Sequence, residues 1–193
     1  MNYCSNCGAP VTSKIPPDDD RPRFVCDGCQ TVHYQNPKIV VGCIPEREDA
    51  VLLCRRAIKP RYGFWTLPAG FLENGETTIE GVRRETFEEA HATIEIISLY
   101  TVFDFPHISQ VYMMFRSRLI DFDHEGGSES IEVKLFQEQD IPWDRIAFVP
   151  IYETLRFFFK DRQTGDYRIR LGSIAPAESS EDEHRRKVSY FNE

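Results

Sequence analysis

The stretch GFLENGETTIEGVRRETFEEAHA, residues 70–92, decides how the middle of this chain folds. Thr77 and Glu80 have the spacing of a capping box, which predicts that a helix starts near Thr77. From there to about Ala90, side chains at helical intervals predict a mostly apolar stripe that can face a sheet. That stripe consists of Ile79, Val82, Thr86, Phe87 and Ala90.

Three carboxylates, Glu85, Glu88 and Glu89, fall within an arc of about 100° beside this stripe. A solvated acidic face is the simplest interpretation. However, like charges three and four residues apart repel, and the helix dipole disfavours anions in the second half of a helix. A bound divalent cation would reverse both penalties, because hard cations take carboxylate oxygens as ligands. The pattern therefore favours a metal site on this helix.

Strand-like patterns lie on both sides of the predicted helix. Five runs are predicted as strands: 38–44, 50–56, 94–105, 110–120 and 131–137. A second helix is predicted at 152–163, ending before Gly165. Cys43 and Cys54 lie in the first two apolar runs, so packing is their expected role.

The other four cysteines form two Cys-x2-Cys pairs, Cys4 with Cys7 and Cys26 with Cys29. This spacing is typical of a zinc ribbon, in which two turns supply four thiolates to one structural Zn²⁺. Two disulfides or a redox-active pair are the alternatives, but neither a secretion signal nor a strand–helix context accompanies them. His33 is a weaker fifth candidate, because four cysteines already complete a tetrahedral site.

Length and composition indicate one main domain with a small appendage, since 193 residues with 41% hydrophobic content can bury one sizeable core. No apolar run approaches the roughly 18 residues that a membrane span needs, and the start MNYCSNCGAP lacks the features of a signal peptide. We therefore expect a cytoplasmic protein without a membrane partner. The net charge of -8 argues against broad nucleic-acid binding.

The central stretch also resembles the Nudix box, the 23-residue loop–helix signature of the Nudix hydrolases. The matching positions are Gly70, Glu76, Arg84, Glu85, Glu88 and Glu89. Two positions depart from the pattern. His91 stands where the family usually has glycine, and Thr86 stands where an aliphatic residue is more common. A left-handed conformation at His91 would cost on the order of 1 kcal/mol.

The resemblance extends to the ribbon and to runs such as LCRRAIKPRYGFWTLPAGFLENGET, residues 53–77. In these features the chain is similar to zinc-ribbon Nudix proteins that include plant FAD and ADP-ribose diphosphatases. The resemblance implies an α/β fold, a Nudix α/β/α sandwich with a mixed sheet, preceded by the ribbon. The expected boundaries are 1–35 for the ribbon, 36–172 for the Nudix domain and 173–193 for a flexible tail.

The family's metal ligands correspond to Glu85, Glu88 and Glu89, and the resemblance implies two or three Mg²⁺ or Mn²⁺ ions. A backbone carbonyl of Ala69 or Gly70 and one distant carboxylate would complete the site. Glu129 matches that distant ligand, and Glu132 is the weaker choice. Glu129 or Glu88 would accept the proton of the attacking water. Arg84 and Glu76 would orient the cluster, although an ordinary surface ion pair is the alternative.

Substrate contacts are harder to assign from sequence. Five aromatic residues around the expected cleft could stack on adenine or flavin rings, although core packing is an alternative for each: Phe64, Trp65, Phe103, Phe105 and Tyr112. Four basic residues could pair with the remote phosphate, or form a solvated turn: Arg55, Arg56, Lys59 and Arg61.

The resemblance implies metal-dependent hydrolysis of the pyrophosphate bond in a nucleoside diphosphate linked to another moiety, with FAD or ADP-ribose favoured. NADH or NAD ranks second, because the Ser-Gln-Pro-Trp signature of the NADH diphosphatases is missing from residues 101–115. A non-catalytic module that senses a nucleotide, or binds a partner through the ribbon, is the alternative class. The expected partner is a small dinucleotide or nucleoside diphosphate rather than nucleic acid, and a homodimer is possible.

Overall fold

Chain contacts divide the protein after Pro37 into two units, Met1–Pro37 and Lys38–Glu193. The computed structural model describes residues 1–123, 125–176 and 188–191. The division falls two residues beyond the expected boundary at residue 35. No helix within these described ranges has the length and apolar character needed to cross a membrane.

The first unit is a three-stranded antiparallel sheet in the order β1-β2-β3. Its strands are β1 (Val11–Lys14), β2 (Arg23–Cys26) and β3 (Val32–His33). Each cysteine pair lies on a tight turn. The Gly8 N–H donates to the Cys4 carbonyl at 2.9 Å, and the Gln30 N–H donates to the Cys26 carbonyl at 3.1 Å. Residues 32–33 thus form the third strand, inside the expected ribbon boundary at residue 35.

The second unit is built on one mixed sheet, whose main path runs β10-β5-β4-β9-β8-β11-β12. Two short strands lie off this path, with β6 paired to β5 and β7 paired to β4. The β4–β9 and β8–β11 pairs are parallel, and the others are antiparallel. The strands are β4 (Lys38–Arg47), β5 (Ala50–Arg56), β6 (Trp65–Thr66), β7 (Ala69–Phe71), β8 (Ala92–Phe105), β9 (Gln110–Phe122), β10 (Ser130–Gln137), β11 (Arg170–Ile174) and β12 (Val188–Tyr190).

Two α-helices, α1 (Thr78–Ala90) and α2 (Val149–Arg162), cover opposite faces of this sheet. Neighbouring strand residues alternate between two cores: Leu52 packs in the cluster that includes α1, whereas Leu53 packs in the cluster that includes α2. Three single 3₁₀ turns, Pro106–Ile108, Glu138–Asp140 and Trp143–Arg145, connect the elements. The arrangement confirms the expected α/β/α sandwich with a mixed sheet.

Helix α1 begins where the sequence predicts it. Thr77 is the N-cap, and its reciprocal bonds with Glu80 form the capping box. The predicted apolar stripe is only partly right, because Ile79 is 40% exposed and Phe87 is 60% exposed. The buried face of the helix instead comprises Gly81, Val82, Thr86, Glu89 and Ala90. The Thr86 hydroxyl fits this apolar face by donating to the Val82 carbonyl at 2.7 Å.

The end of the chain contributes strands where a flexible tail was expected from residue 173. Ser173 pairs with Asp104 of β8, so the expected boundary at residue 172 falls inside β11. Residues 188–190 form β12, which pairs with β11 at the edge of the sheet. The Tyr190 hydroxyl also donates to Glu153 of α2 at 2.7 Å, which ties the strand to the helix. Residues 177–187 and 192–193 of that tail lie outside the described residues.

Candidate functional site

A cavity of about 1020 Å³ in the main unit collects residues that are far apart in sequence. One wall comes from α1 and β7, and another comes from residues 147–151, where α2 begins. Five glutamates line this cavity, namely Glu73 and the four predicted metal ligands Glu85, Glu88, Glu89 and Glu129. Three of them lie on α1, and Glu129 lies on the loop that precedes β10.

Glu89 is the most deeply placed carboxylate, with only 7% of its surface exposed. Its Oε2 atom accepts a hydrogen bond from the Ala69 N–H at 3.0 Å. The neighbouring Gly70 allows close approach of β7 to the helix, because a Cβ atom there would lie 2.2 Å from the Glu85 carboxyl carbon. Any side chain at Gly70 would therefore collide with the carboxylate wall.

Burial makes it unfavourable for the carboxylates of this wall to ionise. Desolvation raises the pKa of Glu89 to about 8, although the Ala69 N–H opposes the rise. Glu85 and Glu129 raise this pKa further, and Arg56 lowers it. Desolvation also raises the pKa of Glu85. The Ala69 N–H and Arg56 only partly offset the cost of ionising Glu89, so a bound cation would favour its charged form.

Arg84 organises the exposed side of the same wall. Its Nη2 atom donates to Glu76 Oε1 at 2.7 Å and to the Phe71 carbonyl at 3.1 Å. Its Nη1 atom donates to Glu85 at 2.7 Å and to Glu88 at 3.2 Å. The bond from Arg84, together with the Glu73 N–H, lowers the pKa of Glu76 to about 2. Arg84 thus orients two of the carboxylates that face the cavity.

The carboxylates are more widely spaced than the four cysteines. Among the described residues, Cys4, Cys7, Cys26 and Cys29 are the one group of three or more candidate ligands whose atoms all lie within 4.8 Å of one another. In the cavity, Glu85 and Glu88 turn towards Arg84 instead. Their chemistry still fits Mg²⁺ or Mn²⁺, because these hard cations prefer oxygen ligands and because burial leaves Glu89 short of counter-charge.

The cysteine group fits one tetrahedral zinc ion. The Sγ atoms of Cys4 and Cys29 lie 3.7 Å apart, and those of Cys7 and Cys26 lie 3.4 Å apart. A tetrahedron with Zn–S bonds of about 2.3 Å requires S–S distances of about 3.8 Å. The His33 Nε2 atom lies 3.2 Å from the Cys4 Sγ atom, so it hydrogen-bonds to a ligand rather than replacing one.

The predicted substrate residues separate into two groups. Arg56, Arg61, Phe105 and Tyr112 line the cavity, although Phe105 is only 3% exposed. Lys59 and four other predicted residues are not among the described residues that line it: Arg55, Phe64, Trp65 and Phe103.

The four predicted residues other than Lys59 that do not line the cavity each have a different environment. Phe103 is fully buried in the core beside α2, so its predicted stacking on substrate is wrong. Trp65 packs edge-on against Phe136, with ring centroids 4.8 Å apart. Phe64 lies under the Arg145 guanidinium, 4.9 Å from it. Arg55 points away from the cavity because it follows the alternation of β5.

The alternation of strands also distinguishes Glu129 from Glu132. Glu132 lies opposite Arg55 on the neighbouring strand, and their side chains approach to 3.7 Å. Glu132 is therefore an outward strand residue. Glu129 lies one residue before β10 and lines the cavity.

Several lining residues were not foreseen. Phe87 was assigned to the core, yet its exposed ring lines the cavity, with its centroid 5.8 Å from that of His91. Residues 147–151 reach the cavity from the start of α2, and no local pattern marks them. Of these residues, only His91 stood out in the sequence, because it replaces the expected glycine. That difference did not predict a place at the cavity.

Comparison with known families assigns both units. The family described as "Nudix N-terminal" matches residues 2–35, and the family described as "NUDIX domain" matches residues 36–158. A crystal structure of a NUDIX hydrolase from Nitrosomonas europaea is 55% identical, with a TM-score of 0.87. The match covers 90% of this chain and 99% of that one.

Two relatives carry more specific names. The NAD-capped RNA hydrolase NudC of Photobacterium profundum is 32% identical over 164 residues, which cover 80% of this chain and 58% of that protein. The ADP-ribose pyrophosphatase of Methanocaldococcus jannaschii is 31% identical over 121 residues, which cover 60% of this chain and 69% of that protein. The chain thus spans little more than half the length of the first relative.

Proposed function

The chain belongs to the Nudix family, and from that premise we propose that it hydrolyses the pyrophosphate bond of a nucleoside diphosphate linked to a second moiety. The observation that carries the proposal is the convergence of Glu85, Glu88, Glu89 and Glu129 on one cavity. The Nudix-box positions and the distant loop meet there. A module that only binds nucleotides has no need for a buried carboxylate such as Glu89, because an unpaired buried charge is costly.

Mg²⁺ or Mn²⁺ held by these carboxylates and by the Gly70 or Ala69 carbonyl would activate water and neutralise phosphoryl charge. The protein's own groups supply orientation. Arg84 holds Glu85 and Glu88 through Nη1 and is itself fixed by Glu76. Glu129 or Glu88 is proposed to accept the proton of the attacking water, since both are exposed to the cavity and free of strong burial.

Arg56 is proposed to bind the phosphoryl group that leaves with the second moiety. Its residue surface is only 9% exposed, yet it lines the cavity close enough to lower the pKa of Glu89. Its Nε atom donates to the Pro60 carbonyl at 3.0 Å, and its guanidinium lies 4.9 Å from the Phe148 ring centroid. These contacts fix the guanidinium at the cavity, and its Nη atoms are proposed to pair with a phosphoryl oxygen. Tyr112 is proposed to contact the base.

ADP-ribose is the first proposed substrate, because a relative at 31% identity is named an ADP-ribose pyrophosphatase. NAD, NADH and NAD-capped RNA form the second class, because another relative is named an NAD-capped RNA hydrolase. FAD is a further proposed substrate, although neither of these two relatives is named for it. The cavity of about 1020 Å³ is large enough for a ligand of dinucleotide size.

A substrate panel tests the proposal. Purified protein is incubated with Mg²⁺ or Mn²⁺ and with ADP-ribose, NADH, NAD, FAD or NAD-capped RNA in turn, and the release of AMP, or of 5′-phosphorylated RNA, is measured. Glu89→Gln should retain the fold and lose roughly 100-fold or more in turnover. Glu95→Gln makes the same change on an exposed residue of β8, paired with Arg118, and should retain full turnover. Absence of cleavage in every arm would favour a nucleotide-binding module.

A further inference from the structure

The loop that carries Glu129 docks on the carbonyl end of α1 through a glycine. The last carbonyl groups of a helix have no partner within the helix and need one from elsewhere. Here the Gly127 N–H donates to the Glu89 carbonyl at 3.0 Å, and the Asp123 N–H donates to the His91 carbonyl at 3.4 Å. The loop therefore completes the end of the helix whose side chains form the carboxylate wall.

Gly127 leaves no room for a side chain at this contact. A Cβ atom there would lie 1.5 Å from the Glu88 carbonyl oxygen and 2.7 Å from its carbon. These are backbone atoms of a helix, so a different rotamer cannot relieve the clash. Gly127 is itself buried, and its carbonyl accepts from the Ser130 N–H at 3.0 Å. Even an alanine would push the loop away from the helix.

Glu129 lies between this contact and β5. Its carbonyl accepts from the Ala57 N–H at 2.7 Å, just after the end of β5. The loop is thus held on one side by β5 and on the other by α1, with Glu129 facing the cavity. A shift of the α1 contact would change the distance between Glu129 and the three glutamates of the helix.

We propose that Gly127 is a positioning residue that sets Glu129 against the carboxylates of α1 so that the four bind the metal together. The inference rests on the proposed function, since it assigns Glu129 to the same metal site. It explains why residue 127 is glycine although its φ lies outside the left-handed region: a side chain there would prevent the loop from approaching the backbone of α1.

Mn²⁺ binding tests this independently of hydrolysis. Free Mn²⁺ is measured by electron paramagnetic resonance for the wild type, Gly127→Ala, Glu129→Gln and the double variant, with zinc content checked in each. Gly127→Ala and Glu129→Gln should each weaken Mn²⁺ binding about tenfold. The double variant should bind no more weakly than either single variant, because both remove the same ligand. Additive losses, or wild-type affinity in Gly127→Ala, would overturn the proposal.

A matched control separates positioning from general destabilisation. Gly165 lies in the turn after α2 with φ of 72° and open space around it. Gly165→Ala should lower the melting temperature through backbone strain and leave Mn²⁺ binding unchanged. If the wild type binds Mn²⁺ as expected but cleaves no substrate, the proposed function fails while the role of Gly127 stands.

One measurement needs no variant, should Gly127→Ala fail to fold. Amide hydrogen exchange in the peptide covering residues 125–130 is compared with and without Mg²⁺. The amide hydrogen of Gly127, which bonds to the Glu89 carbonyl, should exchange more slowly when the metal holds Glu129 to the helix. Unchanged exchange would contradict the inference.

Discussion

The ribbon and the cavity both gather metal-ligating side chains, but they do so by different means. In the ribbon, two local Cys-x2-Cys turns bring four sulfur atoms within 4.8 Å of one another. In the cavity, a helix, a short strand and a loop about 40 residues beyond the helix contribute, and a packed sheet holds them together. Local spacing suffices where the metal itself organises the fold. Where the hydrophobic core organises the fold instead, tertiary packing decides which side chains meet at the metal site.

The energetic difference follows from what each unit buries. The buried hydrophobic residues of the ribbon are Cys4, Val25 and Cys26, and two of these are candidate zinc ligands. The main unit buries two apolar clusters, one on each face of its sheet. The ribbon should therefore depend on its metal for folding, and the main unit should not.

Removal of one zinc ligand is expected to have the largest effect. Structural zinc contributes on the order of 10 kcal/mol to folding of such units, so Cys26→Ser should release the zinc and unfold residues 1–37. Hydrogen exchange should rise throughout the ribbon and stay unchanged in the buried strands β4 and β9. Elemental analysis should fall from about one zinc per chain to near zero. Cys54→Ala, which removes a buried cysteine of the other unit, should retain the zinc; retention in Cys26→Ser would contradict the ribbon assignment.

The second effect concerns the main unit without divalent metal. Burial raises the pKa of Glu89 from its ordinary value of 4.5 to about 8 in the folded protein. Between these pH values the folded state therefore binds more protons than the unfolded state. The free energy of unfolding should therefore fall as the pH rises from about 4.5 to about 8, by at most about 1.4 kcal/mol per pH unit. Urea denaturation at pH 5, 6, 7 and 8 measures this slope.

Glu89→Gln is the control for that slope, because glutamine fills the same space without ionising. The groups that face Glu89 are Glu85, Glu129, Arg56 and the Ala69 N–H, and all of them remain in the variant. The wild type should show the steeper decline, and Mg²⁺ should reduce the difference. Equal slopes in the two proteins would show that Glu89 does not titrate in this range.

The same contrast explains which parts of the site could be predicted from sequence. The pairs of candidate zinc ligands, the cap of α1 and its three glutamates depend on spacings of at most four residues, which a sequence displays directly. Arg55 and Arg56 show the limit. Adjacent strand residues point to opposite faces, so at most one could reach the cavity, but only the placement of β5 in the sheet decides that it is Arg56.

The direction of Glu89 and Phe87 on α1 shows the limit again. Hydrophobicity predicts that Phe87 is buried and Glu89 is peripheral, whereas the structure places Glu89 against β7 and leaves Phe87 at the cavity. The Ala69 N–H stabilises the buried carboxylate, and no pattern within the helix reveals that donor. The strands at 170–174 and 188–190 escaped prediction for the same reason, since their partners are β8 and each other.

The smallest expected effect lies at the end of α1. His91 has φ of 45° and ψ of 37°, the left-handed conformation that favours glycine, and its N–H donates to the Phe87 carbonyl. His91→Gly should relieve strain and raise the free energy of unfolding of the main unit by at most about 1 kcal/mol, because the added freedom of glycine in the unfolded chain opposes the gain.

Gln30 in the ribbon has φ of 59°, so Gln30→Gly is the matched change and should leave the unfolding transition of the main unit unchanged. Urea denaturation monitored by tryptophan fluorescence, with both tryptophans in the main unit, distinguishes them. Destabilisation by His91→Gly would mean that the contact between the His91 and Phe87 rings outweighs the strain of the backbone.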